Sequence, residues 1–186
     1  MAASKQSNLS PIDLVILIKI ALSHGSEISQ SKLAEGLFIS QSEISKSLAR
    51  SRYARLVSGK YSLMLQGLME FIEHGVKYCF PQQPGPIVRG IPTAHSHDAL
   101  NNRINSGENY VWPTARGTIR GQAILPLYPS VIDASLVDSE LHMALALVDA
   151  IRVGRNREKH LAIEILWKKL LNEEYPNKSE SYNFSG

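Results

Sequence analysis

The stretch Leu33–Leu56, "LAEGLFISQSEISKSLARSRYARL", sets two short apolar repeats beside a basic run. Leu33, Ala34 and Leu37 share one helical face by their three- and four-residue spacing, and Ile44 and Leu48 share another. Ser29 is placed to cap a first short helix, Gln30 to Leu37, by accepting a free backbone N–H. Ser40-Gln41-Ser42-Glu43 reads as a capping box: Ser40 would bond the Glu43 amide while the Glu43 carboxylate reaches back to Ser40. A second helix therefore starts near Gln41 and runs to Arg52 or Tyr53. From Lys46 to Lys60 there is no carboxylate, so Lys46, Arg50, Arg52, Arg55 and Lys60 form a cluster suited to phosphate contact.

Upstream, Ser10-Pro11 is a good helix start, because proline at the first helical position loses no hydrogen bond. The run "IDLVILIKIAL", Ile12 to Leu22, predicts a helix buried on most sides, reaching about His24 and stopped by Gly25. Downstream, "LVSGKYS" at Leu56 to Ser62 fits a tight turn or small hairpin. Leu63 to about Val76 returns to helical periodicity, with Gly75 as its stop. "PQQPGPIVRGIP", Pro81 to Pro92, excludes helix and predicts an extended linker or a segment that hugs the surface. A boundary is expected there: residues 1–80 as one domain, 81–108 as a Pro/Gly-rich linker and 109–186 as a C-terminal dimerisation or partner-binding region. In that region "ENYVWPTARGTIRGQAILPLYPS" predicts a β-hairpin or two-strand flap around Pro113 to Gly117. Two helices follow, Ser139 to Val153 and Arg155 to Leu171, before a frayed tail from Asn172. The expected class is mainly α, with a C-terminal α+β part holding a small hairpin and two helices.

The chain has 186 residues, 44% of them hydrophobic, and a formal net charge of +3. Residues 1–80 carry 9 Lys/Arg and 6 Asp/Glu, whereas residues 81–186 carry 11 of each, so the basic excess lies in the first half. One cysteine, Cys79, excludes an internal disulfide and a cysteine-built zinc site, and beside Tyr78 and Phe80 it reads as a small core residue. The longest apolar run near the start holds Asp13 and Lys19 and is too short to span a bilayer. With no secretory cleavage pattern, a cytoplasmic location without membrane association is expected.

The two helices with their short joint, between Ser29 and Tyr53, resemble the helix-turn-helix of DNA-binding transcriptional regulators. Ala34 stands where that family uses a small residue so that the helices cross closely, and Leu37, Ile39, Ile44 and Leu48 match its locking positions. Phe38 departs from the pattern, since many members have glycine there to turn the chain with positive φ. The order of elements is similar to dimeric regulators of the multiple-antibiotic-resistance type, and "RLVSGKYSL" is long enough for a small wing. The resemblance implies a recognition helix starting near Gln41, with double-stranded DNA as partner. Gln41, Ser42 and Glu43 would face base edges, Ser45 and Lys46 bases or phosphates, and Arg50, Arg52, Arg55 and Lys60 the backbone.

The leading expectation is a homodimeric repressor reading an inverted repeat, with the striped C-terminal helices as the dimer element. The alternative is an antitoxin-like protein that represses its own operon and binds a partner protein through its C-terminal half. No P-loop, dinucleotide fingerprint or paired-carboxylate motif appears, so neither an enzyme nor a cofactor is expected. "HSHD", His95 to Asp98, is a weak metal candidate that reads instead as solvated or capping. "RVGRNREKH", Arg152 to His160, has acids within helical reach, which makes internal ion pairing the default. Arg116 and Arg120 flank a turn in "VWPTARGTIRG", a segment that suits a DNA-touching flap, an effector lid or a dimer arm without the sequence choosing among them.

Overall fold

A helix striped on one side buries about half of its residues, but Pro11–Ala21 (α1) buries nine of eleven. Its neighbours lie on every side: Gln30–Leu37 (α2), Gln41–Tyr53 (α3) and Ser139–Val153 (α8) all pack on it. The structure, a computed structural model, describes residues 8–26, 28–59, 62–103 and 107–173. It is mainly helical with small sheets. α1 ends at Ala21, earlier than expected, and the chain turns away through His24 and Gly25, both at positive φ. After α3, Val57–Ser58 (β1) pairs antiparallel with Ser62–Leu63 (β2), a minimal hairpin with Val57 opposite Leu63.

Leu65–Glu70 (α4) continues through a π-helical turn, Phe71–Gly75, into Val76–Cys79 (α5). Gly75 is therefore not a stop. A Cβ there would sit 2.8 Å from the Phe71 ring, so glycine makes room for the ring where the helix widens. Cys79 is exposed, contrary to the core role expected for it: Val76 takes the inward position in this last turn.

The proline-rich segment is a strand, not a linker. Ile87–Pro92 (β3) pairs antiparallel with both Tyr110–Pro113 (β4) and Ile119–Ala123 (β5). β4 and β5 pair parallel with each other, so the three strands close on one another and no hairpin joins β4 to β5. Glycine makes this closure possible. A Cβ on Gly117 would lie 2.3 Å from the Gly90 backbone, and one on Gly121 2.4 Å from the Asn109 carbonyl oxygen. The connection after β4 can therefore pass against β3 at Gly90 and reach its other side.

A 3₁₀ turn, Ala94–Ser96, leads into Asp98–Asn101 (α6). Val131–Val137 (α7), which the periodicity did not reveal, precedes α8, and Asn156–Leu171 (α9) closes the described chain. α8 is the second hub, packed by α1, α5, α7, α9 and the 3₁₀ turn. Asp149, fully buried on α8, accepts from Thr93 Oγ1 at 2.9 Å, Trp112 Nε1 at 2.6 Å and Arg152 Nη1 at 2.7 Å. This carboxylate pins the sheet to the helix, and burial pushes it up against the pull of Arg152.

One continuous core runs from Ile12 to Leu170. Residues 1–80 and 109–186 are accordingly not separate packing units, because the apolar surfaces of α1 and α8 cover each other. The stripe residues Leu141, Leu145, Val148 and Ile151 of α8 are all buried within the chain itself, as are Leu166 and Leu170 of α9, while Leu161 and Ile165 of the α9 stripe are half-buried against the same core. The α8 stripe is therefore covered from within the chain and is no open dimer face. The tail expected to fray lies largely outside the described residues.

Candidate nucleic-acid interface

The joint between α2 and α3 occupies Phe38–Ser40, and its backbone follows a Schellman closure. Phe38 sits in the left-handed region at φ 55° and ψ 44°. Its N–H donates to the Glu35 carbonyl at 3.2 Å, while the Ile39 N–H donates to the Ala34 carbonyl at 3.0 Å. Phenylalanine thus makes the turn that glycine would make more cheaply, with its ring 55% exposed. The far end of α3 repeats the device, with Arg55 at φ 61° and the Leu56 N–H donating to the Ser51 carbonyl at 2.9 Å.

Ser29 and Ser40 cap as expected, accepting from the Lys32 and Glu43 amides, each at 3.2 Å. The return half of the Ser40 box is different. The Glu43 carboxylate accepts from Arg50 Nη2 at 3.1 Å, two turns along the same helix. Arg50 itself is drawn inward, donating from Nε and Nη2 to the two oxygens of Asp13 at 2.8 and 2.6 Å. Asp13 is 0% exposed, and its Oδ2 also accepts the Ser10 N–H at 2.8 Å. Both carboxylates hold the Arg50 guanidinium proton above its ordinary range. The expectations of a backbone contact from Arg50 and a base contact from Glu43 therefore change: Arg50 locks α3 to α1 and Glu43 belongs to that lock, so both side chains are engaged within the chain.

What faces outward on α3 is decided by the period of its buried positions. Ile44, Ser47, Leu48 and Ser51 are inside, which leaves Gln41, Ser42, Ser45, Lys46, Ala49, Arg52 and Tyr53 exposed along the opposite side. This side carries Lys46 and Arg52 and no acid. Arg52 Nε donates to the Gly59 carbonyl at 3.1 Å, tying the end of α3 to the β1–β2 hairpin. Arg55 is exposed beyond it, and Lys60 lies outside the described residues. Gln41, Ser42, Ser45 and Lys46 are thus brought together, with Arg52 in the last turn of the same helix and Arg55 just past its end. Tyr53, 64% exposed, joins this surface and was not singled out, although its spacing from Ser45, Lys46 and Ala49 carried the signal. The partner of Arg50 was signalled too, as the lone acid in the apolar run from Ile12.

The histidine segment is more deeply built than a solvated loop. His95 is buried, and its Nε2 donates to the Glu108 carbonyl at 2.8 Å. His97 does cap, its Nδ1 accepting the Ala99 N–H at 3.2 Å, and its ring lies edge-on to His142 at 4.5 Å. Burial and the neighbouring His142 depress His97 to about 4, and burial also lowers His142. Among the described residues no group of three or more His, Cys, Asp or Glu side chains converges to hold a metal ion. A cleft of about 940 Å³ between the ends of α1 and α9 is lined by residues such as Ile20, Leu63, Leu65 and Leu170 and presents no converging charges. Among the described residues no helix is long and apolar enough to cross a membrane. Comparison with protein-family models, with curated proteins and with solved structures finds no match to this chain.

Proposed function

We propose that the protein is a sequence-specific DNA-binding regulator of the helix-turn-helix type, with α3 as its recognition helix. The observation that carries this reading is the outward side of α3. Gln41, Ser42, Ser45 and Lys46 stand exposed at its N-terminal half, with Arg52 following and no acid among them, while the inward side is locked to α1. A helix held this rigidly, with short polar side chains leading and cations trailing, suits entry into a major groove with phosphates alongside. The β1–β2 hairpin, held by Arg52, supports a minimal wing. One such helix reads few base pairs, so the working form in this reading is a homodimer on an inverted repeat, most simply a repressor.

Selection from random duplexes tests it. A preferred site should emerge, and Gln41→Ala or Ser42→Ala should each cost about 1–3 kcal/mol on that site and little on random duplex. Failure to enrich any site, with the protein folded, would reject the reading.

A further inference from the structure

β3 and β5 place two arginines directly opposite each other. Arg89 and Arg120 are register partners in the antiparallel ladder, which puts both side chains on one face with their Cα atoms about 4.5–5.5 Å apart. Both are exposed, and neither guanidinium has a hydrogen-bond or ion-pair partner among the described residues. By contrast, Arg116 in the β4–β5 connection is paired with Asp133 of α7, and Arg152 with Asp149. Like charges directly opposite one another weaken a strand pair. This pairing is also hard to relax, because Gly90, Gly117 and Gly121 let backbone meet backbone on either side of it and fix the strands at close range. The next pair on the same face, Ile87 and Gln122, adds an exposed aliphatic surface and an amide, and again no acid.

From this juxtaposition we infer that Arg89 and Arg120 form a clamp for a phosphoryl group. One guanidinium fork satisfies one carboxylate. Two forks side by side, with five N–H donors each, match a phosphate whose two or three terminal oxygens carry one negative charge in a diester and up to two in a monoester. The phosphoryl group has two sources, the backbone of a nucleic acid or a free phosphorylated compound. The clamp is separate from the α3 surface and does not depend on that helix reading bases.

Arg89→Gln and Arg120→Gln, singly and together in the full chain, test it in two arms. In the first, duplex binding is followed across a salt series. In the second, inorganic pyrophosphate is titrated while the arginine Nε–H resonances are observed by NMR. A clamp on the nucleic-acid backbone predicts that the double variant loses about 10-fold in duplex affinity near 0.1 M salt and that its salt slope flattens by about 1–2. A clamp for a free phosphorylated compound predicts pyrophosphate-dependent shifts in the wild type that the double variant loses, with the duplex slope unchanged. In either case the melting temperature should not fall, because a repulsion has been removed. A wild type that binds pyrophosphate but no duplex supports the clamp and sinks the DNA reading of α3. A double variant that matches the wild type within twofold in both arms overturns the clamp.

Discussion

Arg50→Ala should unfold this protein more readily, whatever it does to DNA binding. The Asp13 carboxylate is fully buried and held by three hydrogen bonds, two of them from Arg50. Truncating Arg50 leaves the carboxylate, 0% exposed in the intact chain, with only the Ser10 N–H as a hydrogen-bond donor from the protein. Removing one partner of a buried ion pair costs about 3–5 kcal/mol. The Arg50 side chain is 22% exposed, so some solvent already stabilises its charge, which places the expected loss near the lower end, about 3 kcal/mol. For a chain of this size that corresponds to roughly 6–12 °C in Tm. Replacing both residues by aliphatic ones, Asp13→Leu with Arg50→Met, removes the stranded charge and should recover most of the loss. Urea unfolding of the two single variants and the double, arranged as a mutant cycle, reads the coupling. Losses below about 1 kcal/mol that simply add would refute the lock. An Arg50→Ala protein of normal stability with a salt slope for duplex reduced by about 1 would instead make Arg50 the phosphate contact expected from its place in the sequence.

Phe38→Gly should stabilise the fold by about 0.5–1 kcal/mol, because the left-handed penalty exceeds the entropy cost of glycine and the ring is mostly exposed; chemical denaturation checks it, and a loss would show that the ring packs in the joint. Acid should destabilise the protein over a definite window. His97 and His142 stay neutral in the folded state, so the unfolded chain binds more protons below its ordinary histidine value near 6.5, and stability falls as pH drops from there toward about 4. Solvent screening of the half-buried His97 ring brings its share to about 1–2 kcal/mol. His97→Asn keeps an acceptor for the Ala99 N–H and removes the titration, so it should flatten that slope in pH-dependent melting. Truncation after Pro81 should give a fragment without a cooperative melting transition, because α1 loses α8; a sharp transition and dispersed NMR signals would show that the first half folds alone.

The local elements between Ser10 and Tyr53 were legible because their signals are local. Pro11 and the caps at Ser29 and Ser40 act within one turn, and the apolar spacing of Leu33, Leu37, Ile44 and Leu48 marks a buried face whatever lies against it. That Ile12 to Leu22 is buried nearly all round also followed from composition alone. What covers those residues did not. The stripe of α8 carries no label saying whether α1 or another subunit packs on it, so the division at Pro81 and the open face expected of α8 were inferences about partners, and chain topology decided both. The proline-rich segment looked like a linker because proline removes ladder donors, yet Pro86 and Pro92 flank or end β3 where donors are dispensable, and Gly90 marks the place where backbones meet. The fate of charges was decided at the same level. Arg50 and Lys46 are four residues apart on one helix, but Asp13, distant in sequence and buried on α1, takes Arg50 into the interior and leaves Lys46 facing water. Arg89 and Arg120 became neighbours only through strand register, since which residues face each other across a ladder is set by pairing and not by spacing along the chain.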